Sequence, residues 1–332
     1  MNRSITHHKR RAFTVPELLA CVAIILIIIS LLLPNLGKAR EVARQAECMS
    51  NLHQAGIGFR SYATETRGYI PGPNTSGYKL RGVTPSNTES DRTEPITDDD
   101  WMSPALGRAM TLPAKKLDRL LDIFANKFRC PSNPHFYDYI YPNQGTLPAA
   151  STIPYSSYSA PFAMHYYWDY THANSNGQPN GARFGNSYDM LVDIRPANHK
   201  FKTVTLGSQS MKVAATEGSR YIDSNGRISF NRDGGSAYGG NFMNRSPLLN
   251  VEYPNNGNPY KFSTYPNLHS DSARYAYRHL NESMNMVFFD GHAENKTSLD
   301  SRRAAYWVPS GSKVVSLNGI GDKSVKLNQI VE

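Results

Sequence analysis

The sequence predicts an α+β protein: one long N-terminal helix packed on an antiparallel β-sheet head with long loops. Three observations predict it. An uncharged apolar run occupies Leu18 to Leu33, a stripe of small and apolar residues at helical spacing follows it to Ala63, and short strand-like segments with turn chemistry fill the second half. Length and composition agree. The 332 residues suffice for one large or two ordinary domains. Charged residues are 19% of the chain, too few for a charge-rich disordered protein. A mean hydropathy of −0.51 excludes a multi-span membrane protein. The 20 Tyr, 24 Gly and 21 Pro suit loop-rich β structure better than a helical bundle. Three cysteines exclude a small disulfide scaffold.

The net charge of +9 is unevenly placed: Arg3, Lys9, Arg10 and Arg11 precede the apolar run, with no acid among them. What remains is a mild excess, so nucleic acid is not an expected partner. The run itself reads LLACVAIILIIISLLL, and counted from Phe13 it is interrupted only by Pro16 and Glu17. At about 1.5 Å per helical residue it is long enough to cross a hydrocarbon core of ~30 Å. The basic leader places the N-terminus in the cytoplasm and the rest of the chain beyond the inner membrane. A secretory signal peptide would end in a small-x-small cleavage site, but here the run passes into Pro34-Asn35-Leu36, and Gly37-Lys38-Ala39 is displaced and charged. A plain anchor leaves Glu17 unexplained, because a carboxylate at the edge of an apolar span calls for a partner.

The segment Lys9-Arg10-Arg11-Ala12-Phe13-Thr14-Val15-Pro16-Glu17-Leu18-Leu19 resembles the class III leader of type IV prepilins and type II secretion pseudopilins. The resemblance implies cleavage between Ala12 and Phe13 by a prepilin peptidase and methylation of the new Phe13 amine. It makes Glu17 the glutamate of the motif; Ala12 stands where the family usually has Gly. Electrostatics agrees with such a role: the Glu17 carboxylate of one subunit can neutralise the Phe13 ammonium of its neighbour in the bilayer, so both burial penalties fall together.

Beyond Pro34 the stripe continues at Leu36, Ala39, Ala43, Ala46, Met49, Leu52, Gly56, Phe59 and Ala63, with Lys38, Arg40, Glu41, Arg44 and Gln45 on the other face. Pro34 can kink a helix without ending it, so 14 to about 66 reads as one helix. Its outer half then needs a sheet to cover the stripe, which is the pilin-like architecture. The expected organisation is a leader at 1–12, a transmembrane half-helix at 13–34, an extracytoplasmic amphipathic helix at 35–67 and a loop-rich β head at 68–332.

Within the head, 71–100 is rich in Pro, Thr, Ser, Asn and Asp and reads as an exposed loop. Its Asp98-Asp99-Asp100 run lacks alternating calcium-ligand spacing and reads as solvated. A short amphipathic helix is expected over 111–128, from Leu112, Leu117, Leu120, Leu121, Phe124 and Phe128. Strands are expected at Lys212–Thr216 and Met284–Phe289, with a hairpin formed by 221–223 and 227–230 around Asn225-Gly226. The stretches 172–187 and 231–268 read as loops.

Arg278-His279 followed by Met286-Val287-Phe288-Phe289-Asp290-Gly291-His292 resembles the C-terminal signature of a prepilin-processing-associated family, named for a His, nine residues and an Asp-Gly. Cys48-Met49-Ser50-Asn51-Leu52 and Phe128-Arg129-Cys130-Pro131-Ser132 fit the same family. Ten residues separate His279 from Asp290 here, not nine. Read from the residues alone, Asp290-Gly291 is hairpin-turn chemistry and His279 packs at the strand start; the rival is a catalytic or metal role for His279, Asp290 and His292. Cys21 lies in the apolar run, which leaves Cys48 and Cys130 as the natural disulfide pair in an oxidising compartment. The alternative is two buried thiols that never meet.

No enzyme constellation is present: no phosphate loop, His-Glu-x-x-His or Cys-x-x-Cys, and Gly234-Gly235-Ser236-Ala237-Tyr238 lacks the final Gly of a nucleophile elbow. No cofactor or metal is expected. The aromatic cluster Tyr158, Phe162, Tyr166, Tyr167, Trp168 and Tyr170 admits a tethered carbohydrate- or peptide-binding module, against a core role for the same residues. A tethered hydrolase is a more remote alternative. The expectation is a non-enzymatic pilin-like or pseudopilin-like subunit of a bacterial envelope secretion or pilus-type machine. Its expected partners are a prepilin peptidase, related pilin subunits and the inner membrane.

Overall fold

A computed structural model describes residues 14–71, 92–93, 100–133, 136–137, 153–154, 157–161, 164, 192–193, 202–217, 221–222, 228–229, 242–243, 277–314, 317 and 322–332. Helix α1 (Val15–Glu65) is continuous for 51 residues and carries Pro34 inside it. The chain divides into two compact units, Met1–Ala43 and Arg44–Glu332. In the first, the large apolar side chains from Val15 to Leu36 are exposed. Among the described residues this is the one helix long and apolar enough to cross a membrane.

In the second unit α1 becomes a core element. Cys48, Asn51, Leu52, Ala55, Gly56, Gly58, Phe59, Tyr62 and Ala63 are buried. The burial of Leu52 and Phe59 follows the helical spacing in the sequence. Ala39, Ala43 and Ala46 do not: all three are exposed, and Met49 is half-buried. Small residues sustain the period there, but full burial begins only at Cys48.

Two short helices follow. Helix α2 (Met102–Ala109) was not anticipated, since eight residues carry too little periodicity. Asp100, expected in a solvated loop, is instead fully buried, and its Oδ1 accepts the Ser103 N–H in the first turn of α2 at 3.0 Å. Asp98 and Asp99 lie outside the described residues. The helix expected over 111–128 begins only at Lys116, as α3 (Lys116–Leu121), and widens into a π-helical turn over Asp122–Lys127. Pro113 biases Leu112 away from helical geometry, and Lys115, the N-cap, is still extended, with ψ of 127°. The Phe128 N–H donates to the Ile123 carbonyl, and both side chains reach the core.

The strands are β1 (Phe136–Tyr137), β2 (Ile153–Pro154), β3 (Tyr158–Pro161), β4 (Val192–Asp193), β5 (Val213–Glu217), β6 (Tyr221–Ile222), β7 (Ile228–Ser229), β8 (Phe242–Met243), β9 (Ser283–Phe288), β10 (Ala293–Thr297) and β11 (Lys313–Val314). The main sheet runs β10-β9-β5-β3-β8. Its first four strands are antiparallel and β8 lies parallel to β3 at one edge. Strand β8 corrects the expectation of an uninterrupted loop over 231–268: Phe242 and Met243 become a strand by pairing with Ala160 and Pro161, a tertiary effect that local sequence does not carry. The expected hairpin is formed by β6 and β7, with Tyr221 opposite Ser229; Asn225-Gly226 lies outside the described residues. Edge strand β10 reads AENKT, with polar residues that discourage edge-to-edge pairing.

Strand β9 is buried on both faces, which is why it reads as a nearly unbroken apolar run. Val287 and the following Phe289 join Leu52, Ala55, Phe59 and Trp101 in one core. Met284, Met286 and Phe288 join a second with Trp307, the last residue of the short helix α4 (Ala304–Trp307), and Val308, which follows it. Within the second unit the sheet is therefore sandwiched between the buried end of α1 and the C-terminal segment. Phe59 stacks on Trp101 with ring centroids 5.1 Å apart, and Trp101 meets Phe128 edge-on at 6.2 Å. Lys212, just before β5, is fully buried; its Nζ donates to the main-chain oxygen of Glu332 at 2.8 Å, and burial pushes the ammonium down to about 8.

Candidate functional site

Two regions concentrate the chemistry that the sequence singled out. The first is the start of α1. Glu17 Oε2 accepts both the Thr14 N–H and the Thr14 hydroxyl, each at 2.8 Å. This reach-back from the third helical position is half of a capping box, and a carboxylate there opposes the positive end of the helix. Within a single chain, Glu17 thus has a local partner. Ala12 and Phe13 lie outside the described residues.

The second region is buried in the head. Cys48 of α1 and Cys130, which follows the π-helical turn, form a disulfide with Cα atoms 5.1 Å apart, across 82 positions of sequence. Cys21 is a free, exposed thiol. Beside the bridge, His279 Nε2 meets Glu217 Oε1 at 2.6 Å, and both side chains are fully buried. A carboxylate only accepts, so His279 carries its proton on Nε2. The same Nε2 also faces the sulfur of Cys130, at 3.9 Å.

Glu217 ends β5 and is held from β9: Asn285 donates its N–H to Oε2 at 3.2 Å and its side-chain amide to Oε1 at 3.1 Å. The same amide reaches the Gln45 carbonyl of α1 at 3.1 Å. Arg278 Nε donates to Cys130 Sγ at 3.2 Å, and its guanidinium also donates to the Ser157 carbonyl. The Cys130 N–H donates to Ser157 Oγ at 2.9 Å. Tyr158 closes the site from β3: its hydroxyl accepts from the Asn51 amide at 3.1 Å, and burial pushes the phenol far above its ordinary range. Tyr158 is therefore a core residue; Phe162, Tyr166, Tyr167, Trp168 and Tyr170 of the same aromatic segment lie outside the described residues.

The structure separates the parts of the C-terminal signature. His279 bridges to Ser283 at the start of β9, whereas Asp290 and Gly291 follow its other end, roughly 20 Å away at ~3.3 Å per residue. The turn Phe289-Asp290-Gly291 closes the β9–β10 hairpin: the Gly291 N–H donates to the Phe288 carbonyl, and Gly291 has φ +93°, the left-handed geometry of a bulged three-residue loop. Asp290 Oδ1 accepts the His292 N–H at 3.1 Å and faces its Nδ1 at 2.5 Å. His279 and Asp290 thus do not meet in one site. The ten-residue spacing includes a second tight turn, Leu280-Asn281-Glu282, where Asn281 and Glu282 take φ of 60° and 50°.

Glu217 and Asn285 are the site residues that sequence reasoning missed. The available signal was a lone carboxylate closing the apolar strand VAATE.

The model of SBP_bac_10, described as a protein of unknown function (DUF1559), matches residues 37–285 of the chain. The chain belongs to the DUF1559 family. DUF1559 is typically a family of pilin-like, prepilin-type proteins. The DUF1559 match takes in Cys48, Cys130, Glu217, His279 and Asn285 and lies outside Glu17 and Asp290. No curated protein matches the chain, and no solved structure does.

Proposed function

We propose that this DUF1559 protein is a pilin-like or pseudopilin-like structural subunit of a bacterial envelope secretion or pilus-type machine, and not an enzyme. A prepilin peptidase cuts between Ala12 and Phe13, the Phe13 amine is methylated, and the mature subunit rests in the inner membrane with its head outside the cytoplasm. Assembly proceeds by bundling of the apolar half of α1 with that of related subunits, the Glu17 carboxylate of one subunit meeting the Phe13 ammonium of another.

The observation that carries this reading is the continuity of α1: one helix passes from exposed apolar side chains over Val15 to Leu36 into the core at Cys48 without a linker. A signal sequence is discarded after export and has no need to continue as the principal core helix. A flexible tether would have served a plain anchor. The disulfide fits a head in an oxidising compartment.

The test is the mature N-terminus in the native host. Mass spectrometry of the membrane-extracted protein is expected to find N-methylated Phe13. An intact Met1, or a terminus beyond Leu33, would overturn the reading.

A further inference from the structure

We infer that the buried cluster Cys48, Cys130, Glu217 and His279 is a redox-gated metal site: a disulfide in one state, and a four-ligand zinc centre when the bridge is reduced. Among the described residues these four are a group in which one ligand atom from each lies within 4.8 Å of all the others, and all four are buried. They come from four separate places in the sequence: α1, the segment after the π-helical turn, β5, and the residue that bridges to Ser283 ahead of β9. The fold, not local spacing, assembles them, so no Cys-x-x-Cys signal exists to be read.

A structural bridge needs no ionisable company. A buried carboxylate and imidazole are each expensive to desolvate, and replacing such a pair by apolar side chains is often neutral or stabilising. Here Glu217 is further fixed by two hydrogen bonds from Asn285, one to each oxygen. That is the second-sphere support that orients metal ligands. Two thiolates, one imidazole and one carboxylate make a donor set suited to tetrahedral zinc. Charge also balances in both states. With the bridge closed, the formal charges at the cluster are one carboxylate, Glu217, and one guanidinium, Arg278, whose Nε lies 3.2 Å from Cys130 Sγ. With it open, two thiolates and the carboxylate bring three negative charges, and the divalent ion with Arg278 brings three positive.

The gating step balances with a dithiol as reductant. The Cys48–Cys130 bond breaks as the dithiol is oxidised to its own disulfide, and two electrons and two protons pass to the cysteine sulfurs. Zinc then displaces both thiol protons, and the His279 proton moves from Nε2 to Nδ1 so that Nε2 can bind. The sulfurs separate to ~3.8 Å, the edge of a tetrahedron with Zn–S of about 2.3 Å.

The test uses the full chain in detergent, in a Cys21→Ser background, without oxygen. ZnCl2 is titrated in competition with a chromophoric chelator, before and after reduction by a dithiol that is then removed. One zinc per chain is expected in the reduced protein and none in the oxidised protein. Co(II) in place of zinc is expected to give the intense visible bands of a tetrahedral thiolate centre. His279→Gln and Glu217→Gln are each expected to weaken zinc binding tenfold or more while the thiol count stays at two. Equal zinc binding in the oxidised protein would overturn the inference, as would none in the reduced protein. Binding insensitive to both His279→Gln and Glu217→Gln would also overturn it, because thiols of an unfolded chain would bind that way. Recovery of near-ultraviolet circular dichroism on adding zinc to the reduced chain would support it.

Discussion

Gly58 of α1 lies against the main chain of Ala105 in α2: a Cβ at position 58 would stand 2.2 Å from the Ala105 oxygen and 2.6 Å from its carbonyl carbon. Elsewhere in a helix, Gly→Ala gains about 1 kcal/mol. At this position the obstacle is backbone, which no rotamer change relieves, and overpacking of this kind costs about 1–3 kcal/mol. Gly58→Ala is expected to lower the thermal midpoint of the head, whereas Gly37→Ala, with nothing within 4 Å of the added carbon, is expected to leave it unchanged or raise it. Circular dichroism melts of the two variants decide the matter; an unchanged midpoint for Gly58→Ala would contradict the close approach of α1 and α2.

Removing the disulfide is expected to cost far more than an ordinary surface change. The bridge closes a loop across 82 positions, for which chain entropy assigns on the order of 4 kcal/mol. Cys48→Ala with Cys130→Ala is expected to lower the denaturant midpoint accordingly, in metal-free buffer. A loss below about 1 kcal/mol would mean that the remaining core contacts hold the helix alone.

How much of this was legible in the sequence depended on whether one segment carried the signal by itself. Helix α1 was legible because its period persists over many turns, from Leu36 to Ala63. Strand β9 was legible because burial on both faces writes a continuous apolar run, and the β6–β7 hairpin because Asn225-Gly226 sits between two short apolar segments. Helix α2 is too brief to show a period. Strand β8 exists through its pairing with β3, and the Glu217–His279 contact through the pairing of β5 with β9. In each of these the deciding partner lies far away in sequence. Asp100 is a different case: its partner, the Ser103 N–H, is only three residues away, but the run of three carboxylates reads as solvated unless α2 is known to start there.

Lys212 gives the head a pH dependence of unusual sign. Burial lowers its folded-state value to about 8, against 10.5 for an ordinary lysine. Below both values the ammonium is present in either state and its burial weakens the fold. Between about 8 and 10.5 the unfolded chain binds the proton that the folded chain has lost, so stability rises with pH, by at most ~1.4 kcal/mol per unit. Lys212→Met removes this dependence. The melting midpoint of the parent protein relative to Lys212→Met is expected to climb between pH 7.5 and pH 10; a constant difference would refute it.

For the assembly reading, Glu17→Ala is expected to leave membrane insertion intact, since insertion rests on the apolar run. Loss of the contact to Thr14 frays only the first turn of α1. Crosslinking in native membranes is expected to show fewer multimers in this variant, and undiminished multimers would argue against an inter-subunit role for Glu17.

The bridge between Cys48 and Cys130 has one more consequence, for survival after proteolytic attack. A single cut of the main chain anywhere from 49 to 129, including the Pro- and Ser-rich stretch at 72–91, opens a covalent ring without dividing the molecule. The apolar half of α1 and the sheet that ends near Thr297 would stay in one piece, joined through sulfur. The nicked protein would migrate as an intact chain without reductant and as two fragments with it.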